Sequence, residues 1–457
     1  MEADRSAFAG RTGKDGAPEP WAPRFFTIFT GQAFSLFGSA LVQFGLVWWL
    51  TRTTGSATVL ATATIAAVLP HVLLGPFAGA LVDRWDRKRV MILADAGIAL
   101  STLVLSLLFL LGLARPWHVF VILALRSLGS SFHGTALAAS LSLIVPESQF
   151  TRVAGLRQAL AGVNGIVAPP AGALLLGLLP MQGLLLIDVV TAAIAIGTLA
   201  FFAIPHPVAE EERGRTSFVT ELKAGFDYVL SWPGLLALAI LAMALNFLLS
   251  PAGSLMPLVV TKHFGKGALE LGGLESLLGL GTIAGGLFLG AWGGFKRRMS
   301  TTILGVVGIG LAVLLVGLAP RDAFWLAGVA YLLLGFAGPV ANGPIGAILQ
   351  AVVKPNMQGR VFTLVDSAAM AMMPLSLALA GPLSDAFGLK LWFLAGGSLC
   401  IAFALAARSI PVLMGIEDSP PPEDRGGACP RTVAGTVAGT VAEAAGSPPA
   451  SAGPTRP

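Results

Sequence analysis

The chain has 457 residues, of which 55% are hydrophobic and only 12% are charged. With a mean hydropathy of +0.80, this composition excludes an ordinary water-soluble enzyme or binding domain, because most of the chain must lie against lipid or other apolar helices. The net charge of +5 is distributed between apolar segments and forms no basic face, so we expect no nucleic acid among the partners.

Apolar segments follow one another along most of the chain, and each is long enough to cross the roughly 30 Å of a bilayer's hydrocarbon. The twelve predicted membrane helices span residues 25–50, 57–82, 89–113, 117–145, 153–178, 183–205, 234–260, 271–294, 301–319, 324–352, 359–386 and 389–411. The first 24 residues hold no apolar run with a cleavage site, so the first helix is expected to serve as the targeting signal. The sequence therefore predicts an all-α, multi-pass membrane protein.

Basic residues are concentrated in alternate loops. The richer set comprises Arg84, Arg87, Lys88, Arg89, Arg152, Arg213, Arg215, Lys296, Arg297, Arg298, Lys354 and Arg360. The positive-inside rule places these loops in the cytoplasm. We therefore expect a protein of the inner (plasma) membrane with both termini cytoplasmic.

Composition also divides the chain into domains. A charge-dense stretch containing Pro follows the sixth helix, and a tail rich in Pro, Gly, Ala and Ser follows the twelfth; both are typical of solvated segments without a core. Residues 218–232 have the pattern of an amphipathic surface helix. The predicted divisions are an N-terminal cytoplasmic segment (1–24), a first six-helix lobe (25–205), a cytoplasmic linker (206–233), a second six-helix lobe (234–411) and a disordered cytoplasmic tail (412–457).

The two halves of the chain repeat each other. Gly79 and Gly290 both precede basic clusters, and Gly129 corresponds to Gly338, in each case at an offset of about 210 residues. A repeat of six helices in the same sense indicates two lobes related by an axis along the membrane normal, with a substrate path between them.

The loop between the second and third helices carries a distinctive motif. Its residues are Gly79-Ala80-Leu81-Val82-Asp83-Arg84-Trp85-Asp86-Arg87-Lys88-Arg89. The run resembles the Gly-x-x-x-Asp-Arg-x-Gly-Arg-Lys motif of the major facilitator superfamily, with Asp86 at the usual Gly position. Gly79 permits close helix contact, Asp83 can face the positive N-terminal end of a neighbouring helix, and Arg84 and Arg87 suit an anionic membrane surface.

This resemblance implies a conformational latch. Asp83 would hold the second helix to the eleventh, which begins near Gly359, in one state of the transport cycle. Asp95, about one and a half turns into the third helix, is expected to pair with the Arg residues of the motif. As an alternative, the motif is only a positive-inside anchor. In the second half Gly294 stands where Asp would fall, so an equivalent second latch is not expected.

The fifth helix carries small and helix-bending residues. They are Gly155, Asn164, Ala168, Pro169, Gly172 and Ala173. The stretch resembles in part the superfamily's antiporter motif, Gly-x8-Gly-x3-Gly-Pro-x2-Gly-Gly, which implies antiport and export. Pro frees a backbone carbonyl and Gly allows close approach, so an ordinary Pro-kinked helix would have the same pattern.

Further stretches resemble one branch of the superfamily, the drug-efflux group that includes macrolide-efflux and enterobactin-exporter-like proteins. They are Gly31-Gln32-Ala33-Phe34-Ser35-Leu36-Phe37-Gly38, Leu185-Leu186-Ile187-Asp188, Gly338-Pro339-Val340-Ala341-Asn342-Gly343-Pro344, Met357-Gln358-Gly359-Arg360-Val361-Phe362 and Ala380-Gly381-Pro382-Leu383. The branch implies secondary active export of a small amphipathic molecule, such as a macrolide-like drug or antibiotic, by proton antiport and alternating access. Export of a siderophore or other metabolite, and flipping of a lysolipid, remain alternatives.

Ionisable residues inside membrane helices are costly, so each is a functional hypothesis. At about 1.5 Å per residue, Arg126 lies roughly 13 Å and Asp188 roughly 8 Å from the same membrane face, where the two can meet. Separation of the two charges by substrate or by a conformational change would let Asp188 take up a proton and so couple protons to transport; a static ion pair is the alternative. Glu275, Asp366 and His71 are further proton-coupling candidates, each with an ordinary structural role as its alternative.

A cavity for amphipathic molecules needs aromatic and Met surfaces with a few polar groups. The candidates at suitable depths are Phe37, Gln43, Phe44, Asn246, Met370 and Met373. The sequence contains no nucleotide-binding P-loop, so the energy is expected to come from an ion gradient.

Other classes of function are not expected. The five His are spread along the chain without metal-ligand spacing, which argues against a metal site and against a membrane-embedded enzyme. The motif between the second and third helices argues against a non-transporting sensor. We expect a monomer in the lipid bilayer that needs no cofactor and whose partners are the substrate and protons.

Overall fold

The computed structural model describes residues 21–82, 85–201 and 218–418. In these ranges, twelve helices are long and apolar enough to cross a membrane. The first lobe contains α1 (Trp21–Thr54), α2 (Ala57–Val82), α3 (Arg87–Leu110), α4 (Pro116–Ile144), α5 (Phe150–Leu178) and α6 (Met181–Phe201). The prediction of twelve membrane helices in two six-helix lobes is confirmed.

The second lobe follows a shorter helix, α7 (Phe218–Ser231), which lies where an amphipathic helix is expected. The lobe contains α8 (Pro233–Leu258), α9 (Ala268–Trp292), α10 (Arg298–Leu318), α11 (Phe324–Val352), α12 (Pro355–Phe387) and α13 (Leu389–Arg408), and the short α14 (Pro411–Met414) follows it. Tyr228 of α7 and Trp232 just after it are buried against the second lobe. Residues 1–20, residues 206–217 of the predicted linker and residues 419–457 of the predicted tail lie outside the described residues.

Helix boundaries follow local chemistry. Pro116, Pro233 and Pro355 each stand in the first turn of a helix, where the missing N–H of Pro costs nothing. Asp86, the residue that departs from the superfamily motif, caps α3 because its carboxylate accepts a hydrogen bond from the backbone N–H of Arg89 at 3.1 Å. The substitution therefore begins a helix where the motif usually has Gly.

Equivalent helices of the two lobes pack in equivalent pairs. In the first lobe α2 packs on α4, α3 on α4 and α6, and α1 on α5 and α6; in the second, α9 packs on α11, α10 on α11 and α13, and α8 on α12 and α13. This is the packing that a same-sense repeat of six helices requires. Between the lobes, α2 packs on α12 and α5 packs on α9.

Candidate transport site

We call the end of the bundle that carries Arg87 and Arg298 the basic end, and the other end the opposite end. At the opposite end the two lobes are in close contact. Ser276 of α9 donates a hydrogen bond to the carbonyl of Ile166 on α5 at 2.6 Å. A Cβ added to Gly272 would lie 2.9 Å from the backbone of Pro169, so glycine is required for this approach.

The predicted latch lies at the basic end. A Cβ added to Gly79 or to Gly359 would meet no atom of the described residues within 4 Å. The space into which a side chain at either position would point is therefore open in this conformation. Asp83 and Arg84 lie outside the described residues.

A cavity of about 780 Å³ lies between the lobes; we call it the central cavity. Its walls come from α1, α2 and α5 of the first lobe and from α8 to α12 of the second. Four of the predicted path residues line it, namely Gln43, Phe44, Asn246 and Met373.

Two predicted path residues lie elsewhere. Phe37 packs beside Leu41, Ala168 and Leu184, where α1 meets α5 and α6. Met370 is 41% exposed and does not line the central cavity. Both were chosen by depth along the helix, whereas the direction around the helix axis decides which face of a membrane helix meets the cavity.

Predicted residues of the fifth helix contribute to the central cavity. Asn164 and Pro169 line it, and the side-chain oxygen of Asn164 is buried without a hydrogen-bond partner among the described residues. Gly172 packs on Phe44, since its Cβ would lie 3.1 Å from the aromatic ring. Gly155 lies nearer the basic end, with open space around it.

One carboxylate faces the central cavity. Glu275 of α9 lines its wall, and no residue in the described part of the chain gives it a hydrogen bond or an ion pair. Among the described residues, no Lys or Arg lines the cavity either. The site can therefore accept one positive charge, either as a proton on Glu275 or as a cationic group of a bound molecule.

The structure brings Arg126 of α4 and Asp188 of α6 together in a buried ion pair inside the first lobe. Ser39 of α1 donates a hydrogen bond to Asp188 at 3.0 Å, and Thr102 of α3 donates another at 3.2 Å. Each oxygen of the carboxylate therefore accepts at least one hydrogen bond. Sequence reasoning missed both hydroxyls, because isolated Ser and Thr residues are common in membrane helices and only the fold shows which ones meet a charge.

The expected partners of Asp95 are wrong. Its carboxylate is buried and lies 3.5 Å from both Gln32 and His133, and not beside Arg87 or Arg89, the Arg residues of the motif that the structure describes. Arg87 instead donates to the carbonyl of Ala139 at 2.8 Å. The reason is depth: Asp95 lies about 12 Å further along α3 than Arg87 and faces α1 and α4.

Asp95 and His133 form part of the wall of a second cavity, of about 560 Å³, within the first lobe. This first-lobe cavity shares no lining residue with the central cavity. On α1 it extends from Phe25 to Ser39, and the central cavity continues from Ala40. The two cavities therefore follow one another along the lobe, the first nearer the basic end.

Two proton-coupling candidates lie away from both cavities. The His71 ring nitrogen Nδ1 lies 2.9 Å from the hydroxyl of Ser131, where α2 meets α4. Asp366 has an exposed side chain in the basic-end half of α12. Neither lines the central cavity or the first-lobe cavity.

Comparison with known proteins supports the same assignment. Residues 28–377 match the model of the Major Facilitator Superfamily. The chain is 34% identical to Macrolide efflux protein A of Streptococcus pyogenes over 85% of this chain and 96% of that protein. It is 26% identical to the Multidrug efflux pump Tap of Mycolicibacterium fortuitum over 82% and 93% of the two chains.

Solved structures share the fold at low sequence identity. The nucleoside transporter NupG (D323A mutant) superposes with a TM-score of 0.66 at 14% identity, over 83% of this chain and 97% of that one. A bacterial homologue of the human lysosomal transporter Spinster gives a TM-score of 0.64 at 14% identity, over 88% and 98%. Twelve membrane helices, two lobes with equivalent packing and a central cavity agree with these matches. The chain is a membrane transporter that belongs to the Major Facilitator Superfamily, in its drug-efflux branch.

Proposed function

We propose that the protein exports small amphipathic molecules, of the macrolide-like drug or antibiotic class, in exchange for protons and by alternating access. The observation that carries this proposal is the central cavity, in which apolar walls from both lobes surround one carboxylate without a cation partner in the described chain. The 34% identity to a protein named for macrolide efflux supports export as the direction.

The central cavity suits an amphipathic molecule in size and chemistry. At about 780 Å³ it falls within the range that drug-sized ligands occupy. Phe44 and Met373 offer apolar contact, while Gln43, Asn246 and Glu275 offer a few polar groups. Such a surface binds molecules of varied outline, because Met and aromatic side chains adapt their packing.

Proton coupling is assigned to Asp188 with Arg126. When Asp188 is charged, its ion pair and the hydrogen bonds from Ser39 and Thr102 hold α1, α3, α4 and α6 together. A proton on Asp188 removes the attraction to Arg126 and leaves that cation free to reorient. Packing of the first lobe then changes with the protonation of one residue, which is the coupling that antiport needs.

Alternating access is supported by the difference between the two ends. Ser276 and Gly272 join the lobes at the opposite end, while the space beside Gly79 and Gly359 at the basic end is open among the described residues. With the basic end in the cytoplasm, as the positive-inside rule predicts, this conformation would receive substrate from the cytoplasm.

Efflux from cells tests the proposal. Cells that express the protein are loaded with a macrolide, a cationic dye or a siderophore, and efflux is measured with and without a protonophore. We expect macrolide efflux that the protonophore abolishes and that Asp188→Asn lowers at least tenfold, whereas Asp322→Asn, in an exposed loop, leaves it unchanged. Efflux of the siderophore alone, or of no member of the panel, would contradict the drug-export assignment and favour a dedicated metabolite or lipid substrate.

A further inference from the structure

Asp385 connects the two lobes at the opposite end. It lies in the last turn of α12, in the second lobe, and its carboxylate accepts three hydrogen bonds from the first lobe. The backbone N–H groups of Ala57 and Thr58 donate at 2.8 and 2.9 Å, and the hydroxyl of Ser56 donates at 2.7 Å. Ala57 is the first residue of α2, so Asp385 caps a helix of the other lobe.

The first turn of a helix has backbone N–H groups without intrahelical partners. In α2 the N–H of Val59 faces the Ser56 hydroxyl at 3.4 Å, and Asp385 satisfies the two N–H groups before it. The cap of α2 is therefore complete only while α12 lies beside it. If the lobes separate at this end, water must replace the carboxylate.

The helix dipoles of α2 and α12 also favour this contact between the lobes. A carboxylate in the last turn of its own helix meets the negative end of that helix dipole, which is an unfavourable position. The positive N-terminal end of α2 compensates this cost, because the charge of Asp385 lies directly against it. The position of Asp385 therefore stabilises the contact between the lobes, whereas it is unfavourable for the α12 helix alone.

Close approach of the two helices makes this geometry possible. Gly381, one turn before Asp385, is buried against α2, and a Cβ there would lie 2.9 Å from Thr58 and 3.0 Å from Ala61. A larger residue would push α12 away from α2 and lengthen the hydrogen bonds of the cap.

We propose that Asp385 is a positioning residue of the transport cycle, which holds the cleft closed at the opposite end by capping α2 and releases it when that end opens. It acts on the relative position of the lobes and does not touch the central cavity. This inference rests on the proposed alternating access. A contact between α2 and α12 then holds the opposite end closed. The Asp83 latch would join the same two helices at the basic end.

Distance measurements between spin labels test the inference in the full-length protein. Labels are attached at Arg52→Cys on α1 and Lys390→Cys on α13, both exposed at the opposite end, with Cys400 and Cys429 replaced by Ala. Double electron–electron resonance on the protein in lipid nanodiscs then gives the populations with this end closed and open. We expect Asp385→Ala to lower the closed-to-open ratio roughly fivefold, in line with the loss of a helix cap.

Control variants separate capping from general damage. Asp385→Asn should retain most of the closed population, because an Asn oxygen still accepts from backbone N–H groups and Asn is a good capping residue. Ser56→Ala should shift the ratio in the same direction as Asp385→Ala, by less. Ser384→Ala, at a buried neighbour whose hydroxyl has no partner among the described residues, should leave the ratio unchanged.

The outcomes distinguish failure of the inference from failure of the proposed function. If the wild-type protein gives one distance distribution that neither pH nor erythromycin changes, alternating access itself is contradicted. If the wild type populates two states but Asp385→Ala and Ser56→Ala match Ser384→Ala, the positioning role of Asp385 is overturned. A lower melting temperature for Asp385→Ala with an unchanged closed-to-open ratio would also overturn it, since that result indicates only structural support.

Discussion

Asp188 is a buried carboxylate in contact with one cation and two hydroxyl groups. Arg126 pairs with it, and Ser39 and Thr102 complete its hydrogen bonds. Removing one charge of such a pair leaves the other buried and uncompensated, which costs about 3–5 kcal/mol. The pair is therefore a stable unit that opens only when a proton or a competing charge reaches it.

A double substitution at this pair separates stability from coupling. We expect Arg126→Leu to lower the free energy of unfolding by about 3–5 kcal/mol, because it leaves the buried charge of Asp188 without its cation partner. The double variant Arg126→Gln with Asp188→Asn should regain most of that loss, since no buried charge remains. It should nevertheless lose gradient-dependent efflux. Thermal unfolding in detergent and efflux from cells measure the two properties, and a double variant that still exports would reduce the pair to a static support.

The carboxylate of Glu275 in the cavity wall leads to a prediction about the charge of the substrate. Because no Lys or Arg in the described part of the chain lines the central cavity, Glu275→Gln should weaken binding of the cationic dye rhodamine 6G roughly tenfold, the effect of losing about 1.4 kcal/mol. Binding of the neutral dye Nile red should change less than twofold. Fluorescence titration of the purified protein measures both, with the exposed Glu147→Gln as the matched control. Equal losses for the two dyes would show that Glu275 shapes the cavity and does not recognise charge.

At the scale of elements, glycine determines how closely α9 and α11 pack. A Cβ added to Gly335 would lie 2.9 Å from backbone atoms of Leu278 and Thr282. Three residues further along α11, a Cβ on Gly338 would meet no described atom within 4 Å. In a bilayer, where lipid is as apolar as Leu, such close backbone contact is a main source of attraction between helices.

These two positions give a matched pair of substitutions in one helix. We expect Gly335→Ala to destabilise the protein by about 1–3 kcal/mol, because the helices must separate to admit the methyl group. Gly338→Ala should be neutral or slightly stabilising, since Ala favours the helix over Gly. Thermal unfolding of the purified variants in detergent checks the difference. Equal effects at both positions would mean that helix propensity, and not packing, sets the result.

Helix number follows from the sequence more closely than helix ends do. Hydropathy predicts twelve spans because each must cover the hydrocarbon. It predicts 25–50 for the first helix, whereas α1 runs from Trp21 to Thr54, because a helix continues beyond the lipid wherever its backbone stays hydrogen-bonded. It also gives no hint that Asp86 caps α3, a role that becomes visible only in the local geometry.

At the scale of the whole molecule, the sequence predicts those contacts of the site that depend only on how deep each residue lies along its helix. Counting depth along the helices indicated that Arg126 and Asp188 can meet, and the structure brings them together. Depth says nothing about direction around a helix, so Phe37 and Met370 were predicted to line the central cavity, which neither does. Asp385 and Ala57 lie 328 residues apart in the chain, and no local pattern connects a carboxylate to a helix end at that distance.

Transport by the purified protein tests the central claim most directly. The protein is reconstituted in liposomes, a pH gradient is imposed, and the movements of erythromycin and of protons are followed together. We predict uphill erythromycin transport with opposite proton flux, lost in Asp188→Asn and retained in Asp322→Asn. Erythromycin movement that is equally fast without a gradient, or uphill transport that survives in Asp188→Asn, would contradict the account.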